Sequence, residues 1–493
     1  MVSFWRYYFH GFDKLGNVKA FKPFIFMSSK QPAWSTGVTR VGQEFDSTPL
    51  EVLSGQVPNT LQGTLYRNGP ARLQRGDRHV GHWFDGDGAI LSVEFGNGQA
   101  KGQYRFVQTA GYQAEAEAGT LLYGGYGTLA PDSLLTRWRK SPKNAANTSV
   151  LALRDRLLAL WEGGKPHVLN PKTLDTLGLE DIDVPTYSAH PKWDHHSGEI
   201  FNFGIDYGPQ NRLRLFVCDS QGTLKRQGHH PLEQMSLIHD FVLAGDYLVF
   251  FLPPLDIPLL QILFGLTTIK DGCRWVPRLG TQILIFDRHS LNLISRSEAE
   301  PWFQWHYGNG YVNEAGHIVV DVVRYPDFTT NQRLAEIASG YTDTAAEAQL
   351  DRLILDPQTG KILASESLCD RSCEFPSVAP DQVGRNASAL YLSLHRPNVD
   401  TAQDLYGAIG RYDIQQGTLE SFDFGEGRYP VEPIYAPNSE GGGWLLTVVY
   451  DSHGDRSEVW VFNAAHLDEP VCRLSLPKVI PIGFHGTFSN TLN

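Results

Sequence analysis

A short motif recurs along the chain and limits its fold more than any other feature. An apolar, β-type run ends in Asp or Asn, a short polar turn follows, and a second apolar run begins. The copies are VLNPKTLDTL around Asn170, VCDSQGTLKR around Asp219, IFDRHSLNLI around Asp287, ILDPQTGKIL around Asp356, YDIQQGTLES around Asp413 and VFNAAHLDEP around Asn463. The Asp or Asn side chain can bond the backbone of its own turn, and Gly where present accepts positive φ, so each copy reads as a β-hairpin. The markers stand 49, 68, 69, 57 and 50 residues apart. A four-stranded propeller blade takes roughly 40–50 residues, and more where loops are long. Six such hairpins and an early segment around residues 60–160 predict an all-β, seven-bladed propeller. It is expected to span residues 1–493 as a single domain, closed by its N-terminal part and capped on one face by a helical or loop lid. Residues 1–55 read as an N-terminal arm. A pair of β-sandwiches would not by itself produce six similar hairpins.

Histidine and glutamate fall at one phase of this repeat. His190 lies 20 residues after Asn170, His239 lies 20 after Asp219, His306 lies 19 after Asp287, and His485 lies 22 after Asn463. Where the remaining two repeats would carry a histidine they carry Glu374, 18 after Asp356, and Glu432, 19 after Asp413. One phase of each blade corresponds to the innermost strand, so four imidazoles and two carboxylates are expected to converge on the axis. Neutral imidazoles suit zinc, iron, copper or nickel. The carboxylates fit partners that accept an imidazole N–H and fix its tautomer. Ligand type alone leaves the metal open.

Composition removes several function classes. A formal charge of −12, with no Lys/Arg block, argues against nucleic acid as a partner. The five cysteines, Cys218, Cys273, Cys369, Cys373 and Cys472, are too sparse for a disulfide framework and point to a reducing, cytoplasmic setting. Cys369 and Cys373 form the only close pair and lack a second pair to complete a zinc site. The first residues, MVSFWRYYFHGF, do not read as a signal peptide. No apolar run approaches the roughly 20 residues needed to span a bilayer.

Local motifs give the pattern a relative. LQGTLYRNGP (61–70), WFDGDG (83–88), KNAANT (143–148), DRLLALWEGGKPH (155–167), SAHP (188–191), IHDF (238–241), CEFP (373–376), DQVGR (381–385) and FHG (484–486) occur in this order. Together they resemble the carotenoid cleavage oxygenase family, and most of all its cyanobacterial apocarotenoid oxygenases. The resemblance implies a seven-bladed propeller with a lid and one Fe(II) per subunit, held by His190, His239, His306 and His485. It implies that Glu162 orients His239, Glu374 orients His306 and Glu432 orients His485, with His190 left without a carboxylate. Glu162 rests on the resemblance alone. Thr148 matches the residue whose methyl group crowds a vacant coordination position. Trp305 and Gly310 depart from the family pattern, as does HGTF at the C-terminal ligand. The FDGDG segment invites a calcium reading, but the other acidic positions of a calcium loop are missing, so a structural turn is expected.

The implied reaction is cleavage of a conjugated C=C bond of a carotenoid or apocarotenoid by O₂, giving two carbonyl products. Trp161, Trp305, Phe375 and Phe484 adjoin the expected ligands and are candidates for the substrate channel. Stilbenoid-cleaving relatives typically carry Lys just before the first glutamate, where this chain has Trp161. A retinoid isomerase and a catalytically silent binding scaffold are the other readings. The apolar run PPLDIPLLQILFGL (253–266) reads either as a buried lid segment or as a loop or short helix that dips into a membrane surface. The aromatic stretch Phe4, Trp5, Tyr7, Tyr8 and Phe9 could join it in a peripheral attachment.

Overall fold

All six markers occupy one place in the architecture, the connection between the third and fourth strands of an antiparallel sheet. The side chains work there as their chemistry requires. Asp219 Oδ1 accepts from the backbone N–H of Gln221 at 3.0 Å and Thr223 at 2.9 Å, and Asp413 Oδ1 from Gln415 at 3.0 Å and Gln416 at 2.9 Å. Asn170, Asp287, Asp356 and Asn463 cap their turns in the same way. The computed structural model describes residues 31–490 except Trp138, Pro209 and Ser439. The N-terminal aromatic stretch lies outside the described residues.

Seven blades are present. The seventh hairpin, between Asp87–Gly96 and Gln99–Phe106, turns through Asn97 and Gly98, both at positive φ. That tight two-residue turn differs from the longer Asp-headed loops, which is why the repeat did not reveal it. Its blade is completed by the chain's last strand, Gly486–Ser489, paired with Gly63–Arg72, and by Phe45–Pro49 on the outside. The neighbouring blade takes Glu51–Gly55 as its outermost strand, against Cys472–Ser475. The early part of the chain therefore closes the ring at two blades, and the end of the stretch read as an arm forms the strands Phe45–Pro49 and Glu51–Gly55.

The innermost strands are Ser149–Ala152, Lys192–Asp194, Val242–Ala244, Tyr307–Val312, Cys373–Ser377, the broken pair Arg428–Pro430 and Ile434–Pro437, and Gly486–Ser489. Packing tightens around the axis. A Cβ on Gly310 would lie 2.2 Å from Val242 Cγ1, so a larger residue there would have to displace that side chain. Middle strands such as Tyr247–Leu252 are buried almost throughout, whereas outer strands such as Leu224–Pro231 alternate between exposed and half-buried. Aromatic side chains fill the space between blades. Phe241 stacks on Phe250 at 5.2 Å, and Phe203 meets Phe250 edge-on at 5.3 Å. Each such burial is worth about 1.5–3 kcal/mol.

Long insertions between strands supply the lid. One contains the helix Thr329–Ile337, another the short helix Leu259–Leu263. The apolar run 253–266 divides in two. Leu255 is fully buried in a two-stranded ribbon with Arg274–Trp275, but no residue of Leu259–Leu263 is buried. Leu260, Leu263, Phe264 and Leu266 are 70, 64, 55 and 59 % exposed. No described helix is long and apolar enough to cross a membrane.

Candidate metal centre

Each blade delivers one residue to the axis where the chain enters its innermost strand. In chain order these are Thr148, His190, His239, His306, Glu374, Glu432 and His485. The phase found in the hairpin repeat is this entry point, and Thr148 holds it in the blade whose first strand is Ser149–Ala152.

The four imidazoles converge. One nitrogen of each lies within 4.8 Å of the others. Nε2 of His239 stands 2.9 Å from Nε2 of His190 and 3.2 Å from Nε2 of His306. Metal–nitrogen bonds of about 2.1 Å at right angles would put neighbouring nitrogens about 3 Å apart, so this spacing fits a metal ion. The Nε2 atoms face inward because carboxylates occupy Nδ1 on three of the rings. Glu162 lies against Nδ1 of His239. Glu374 Oε2 is 2.5 Å from Nδ1 of His306, and Glu432 Oε1 is 2.9 Å from Nδ1 of His485. A carboxylate there selects the Nδ1–H tautomer and leaves the Nε2 lone pair free for a metal. His190 has no such partner among the described residues, and its backbone N–H donates to Ser188 Oγ at 3.1 Å.

Two of the carboxylates are themselves fixed. Glu374 accepts from the Tyr325 hydroxyl at 3.1 Å and the Phe375 N–H at 2.6 Å. Glu432 accepts from Arg67 Nη1 at 3.2 Å and the Gly486 N–H at 2.8 Å. Burial pushes both carboxyls up, but the imidazole each one touches, together with their other hydrogen-bond donors, holds them below their usual range. Burial also pushes His190 well below its ordinary value, reinforced by the other three imidazoles, and keeps it neutral. At His306 burial is overcome by Glu374, and the net direction is upward. Arg67, brought down to about 10 by burial, remains a cation at neutral pH. With neutral imidazoles, three carboxylates against one guanidinium leave two negative charges in this buried cluster. A divalent cation would cancel them.

Beside the histidines opens a cavity of about 90 Å³, bordered by Trp305, Phe375, Phe484, Phe84 and Thr148. Trp161 is not among its walls. The Trp161 ring folds over Gly163, where even a Cβ would come within 2.3 Å of it, and borders a smaller cavity with Phe84 and Lys143. The WFDGDG segment is a structural turn. Asp85 accepts from the N–H groups of Tyr126 and Gly127 and from the Thr128 hydroxyl, while Asp87 pairs with Arg75 and Lys143. All five cysteines are free.

Sequence reasoning missed Arg67, Tyr325 and Phe84. Phe84 stacks parallel to His239 at 6.5 Å and meets Trp305 edge-on at 5.4 Å. A signal for Arg67 did exist, namely a charged residue inside the otherwise buried strand Gly63–Arg72.

A seven-bladed propeller with four imidazoles on its axis, three of them backed by carboxylates, next to an aromatic-lined cavity, defines the class of four-histidine propeller oxygenases. The chain belongs to the retinal pigment epithelial membrane protein family, the carotenoid cleavage oxygenases, whose profile matches residues 38–490. It is 33 % identical to the apocarotenoid-15,15'-oxygenase of Synechocystis over 93 % of this chain and 96 % of the relative. It is 26 % identical to carotenoid 9,10(9',10')-cleavage dioxygenase 1 of Arabidopsis thaliana (88 % and 85 % covered) and 25 % identical to resveratrol cleavage oxygenase 1 of Aspergillus fumigatus (90 % and 93 %). The structure of the cobalt-substituted Synechocystis enzyme superposes with a TM-score of 0.84 at 32 % identity, covering 93 % of this chain and 98 % of that one.

Proposed function

We propose that this chain holds one Fe(II) at His190, His239, His306 and His485 and cleaves a conjugated C=C bond of a carotenoid or apocarotenoid with O₂, giving two aldehyde or ketone products. The observation that carries this reading is the set of converging Nε2 atoms at the wall of an aromatic-lined cavity. Bound there, Fe(II) would supply the binding and activation of O₂. The protein's own work is positional. Glu162, Glu374 and Glu432 hold three imidazole rings in register. Trp305, Phe375, Phe484 and Phe84 hold the polyene beside the histidines and keep water out. Thr148, at the seventh axial entry, restricts the space left at the centre.

Stilbenoid cleavage is the weaker reading. The relative named for resveratrol cleavage shares 25 % identity against 33 % for the apocarotenoid oxygenase, and Trp161 stands where a lysine would be expected. A silent scaffold has no use for three carboxylates aimed at imidazoles, two of them buried, since such groups are costly without a cation.

The exposed side chains of 260–266 support a peripheral membrane contact through which so apolar a substrate could enter. Leu134 is exposed as well, on a segment that meets this loop through Arg137 and Gly265. Burying four such side chains in lipid would supply roughly 6–12 kcal/mol before ordering costs.

The test is direct. Purified protein is expected to contain about one iron per chain and to convert carotenoids or apocarotenals into shorter carbonyl products identified by mass. His239→Ala and His306→Ala are expected to lose iron and activity together. Full activity in either variant would overturn the assignment.

A further inference from the structure

The cavity beside the histidines is aromatic and aliphatic over most of its wall; apart from the histidines, Glu374 and two threonines, its one charged side chain is Arg333, on the lid. The helix Thr329–Ile337 borders it with Thr330, Arg333, Leu334 and Ile337, the i, i+3, i+4 and i+7 positions of a single face. Arg333 is only 7 % exposed, and it makes no ion pair with a carboxylate among the described residues. The nearby acids are engaged elsewhere. Glu336 binds Gln332, Thr342 and Thr344, while Asp404 pairs with Arg396.

The guanidinium is held by backbone oxygens instead. Nη1 donates to Thr344 O at 2.9 Å and Ala402 O at 3.0 Å, and Nη2 donates to Asp404 O at 2.5 Å. Three of its five N–H donors are thus used. Nε has no acceptor among the described residues, and Nη2 has one N–H to spare. These two nitrogens form the side-on fork that pairs with both oxygens of a carboxylate. Burial pushes the guanidinium down, and the phenols of Tyr406 and Tyr325 lie near it. Both phenols border the same cavity. The Tyr325 hydroxyl donates to Glu374 and meets the Tyr406 hydroxyl, and Tyr406 follows closely on the Asp404 carbonyl that Arg333 grips. A buried cation without an anion is unfavourable. A divalent ion would leave the histidine cluster neutral, so Arg333 would be the uncompensated charge of the cavity wall.

We propose that Arg333 and Tyr406 bind the oxygenated end of the substrate, and that the substrate taken is an apocarotenoid with a terminal carboxylate. This rests on the polyene-cleavage reading above. Fixing one end of a long, featureless polyene would set which double bond lies beside the histidines. An aldehyde or alcohol could use the same donors but would leave the charge unmatched.

The experiment uses the iron-loaded protein and four polyenes of one length, ending in carboxylate, aldehyde, hydroxyl or methyl. Binding is read by quenching of tryptophan fluorescence without O₂, and turnover is read separately as kcat and KM. Wild type is expected to bind the acid about tenfold tighter than any of the other three, as charge-assisted hydrogen bonds exceed neutral ones. Arg333→Gln is expected to abolish that preference. Arg333→Lys and Tyr406→Phe should raise KM for the acid at least about fivefold while kcat stays within about twofold, the signature of lost ground-state binding. Should Arg333→Gln fail to fold once its carbonyl contacts are gone, the Arg333→Lys and Tyr406→Phe pair decides. Equal affinity for all four ends, a preference for the aldehyde, or an acid preference that survives these substitutions overturns the proposal. Preferential binding of the acid with no cleavage of any polyene would leave the anchor standing and overturn the cleavage reading.

Discussion

Glu374 and Glu432 do the same work for their histidines but are supported differently, and this separates what their loss should do. Glu374→Gln removes a charge partner of His306 and leaves Tyr325 able to bond the amide. Glu432→Gln also strips Arg67, a buried guanidinium, of its only carboxylate partner among the described residues. Both variants are expected to bind Fe(II) about 10–100-fold more weakly in competition with a chelator, the usual effect of losing an outer hydrogen-bond partner. Glu432→Gln should in addition melt at lower temperature than Glu374→Gln. Unchanged metal affinity in both would make these carboxylates purely structural. The sequence revealed six of the seven axial residues, because residues related by whole blades recur at one phase. Thr148 shares that place but was found through the resemblance, since the blade before it has no Asp-headed hairpin to count from. Glu162 sits just after the strand Leu157–Leu160 and Arg67 within a second strand, so neither is related to the histidines by any repeat.

Among the elements, the run 253–266 makes the sharpest contrast, because one apolar stretch supplies both core and surface. Replacing Leu260, Leu263 and Phe264 by Ser should leave the melting temperature nearly unchanged, since none of these side chains is buried. The same protein should release from liposomes with which wild type co-sediments, and should turn over membrane-delivered substrate more slowly than detergent-delivered substrate. Leu255→Ala, in the same run, should instead cost about 2–5 kcal/mol of stability, as expected for emptying a core position. Unfolding of the triple variant, together with wild type that ignores liposomes, would make the whole run core and end the membrane proposal. Apolar content alone could not divide this segment. What divides it is Leu255 pairing with Trp275, a contact across an irregular insertion that no local pattern encodes. The hairpins were legible for the opposite reason. Their Asp and Asn caps act within two to four residues, so the chemistry that forms the turn is written beside it.

On the scale of the whole molecule, buried imidazoles tie the fold to pH. Away from the metal centre, burial lowers His82 to about 3, His167 to about 4 and His395 to about 3. In the unfolded chain each returns to about 6.5, so the unfolded state binds more protons as the pH falls below that value. Their contribution to stability is complete above about pH 6.5 and is lost progressively as the pH drops toward their folded values. At pH 5 each would cost about 2 kcal/mol relative to pH 7.5. In metal-free protein His190 and His485, also lowered, act in the same direction. His306 is raised and opposes them, since its contribution is lost as the pH rises. Glu374 and Glu432 are lowered, and their loss begins only in the carboxylate range. Acid destabilisation should therefore set in near pH 6.5, well before carboxylates titrate. The urea midpoint of metal-free protein is expected to be clearly lower at pH 5.0 than at pH 7.5, and replacing His167 and His395 by Gln should shrink the difference. The closing strand Gly486–Ser489 directly follows His485, so a bound metal links the two ends of the ring. Metal should then raise the midpoint at pH 7.5 and lose that effect in acid, as protons compete for the imidazoles. Equal midpoints at the two pH values would mean that these histidines are already protonated in the folded propeller.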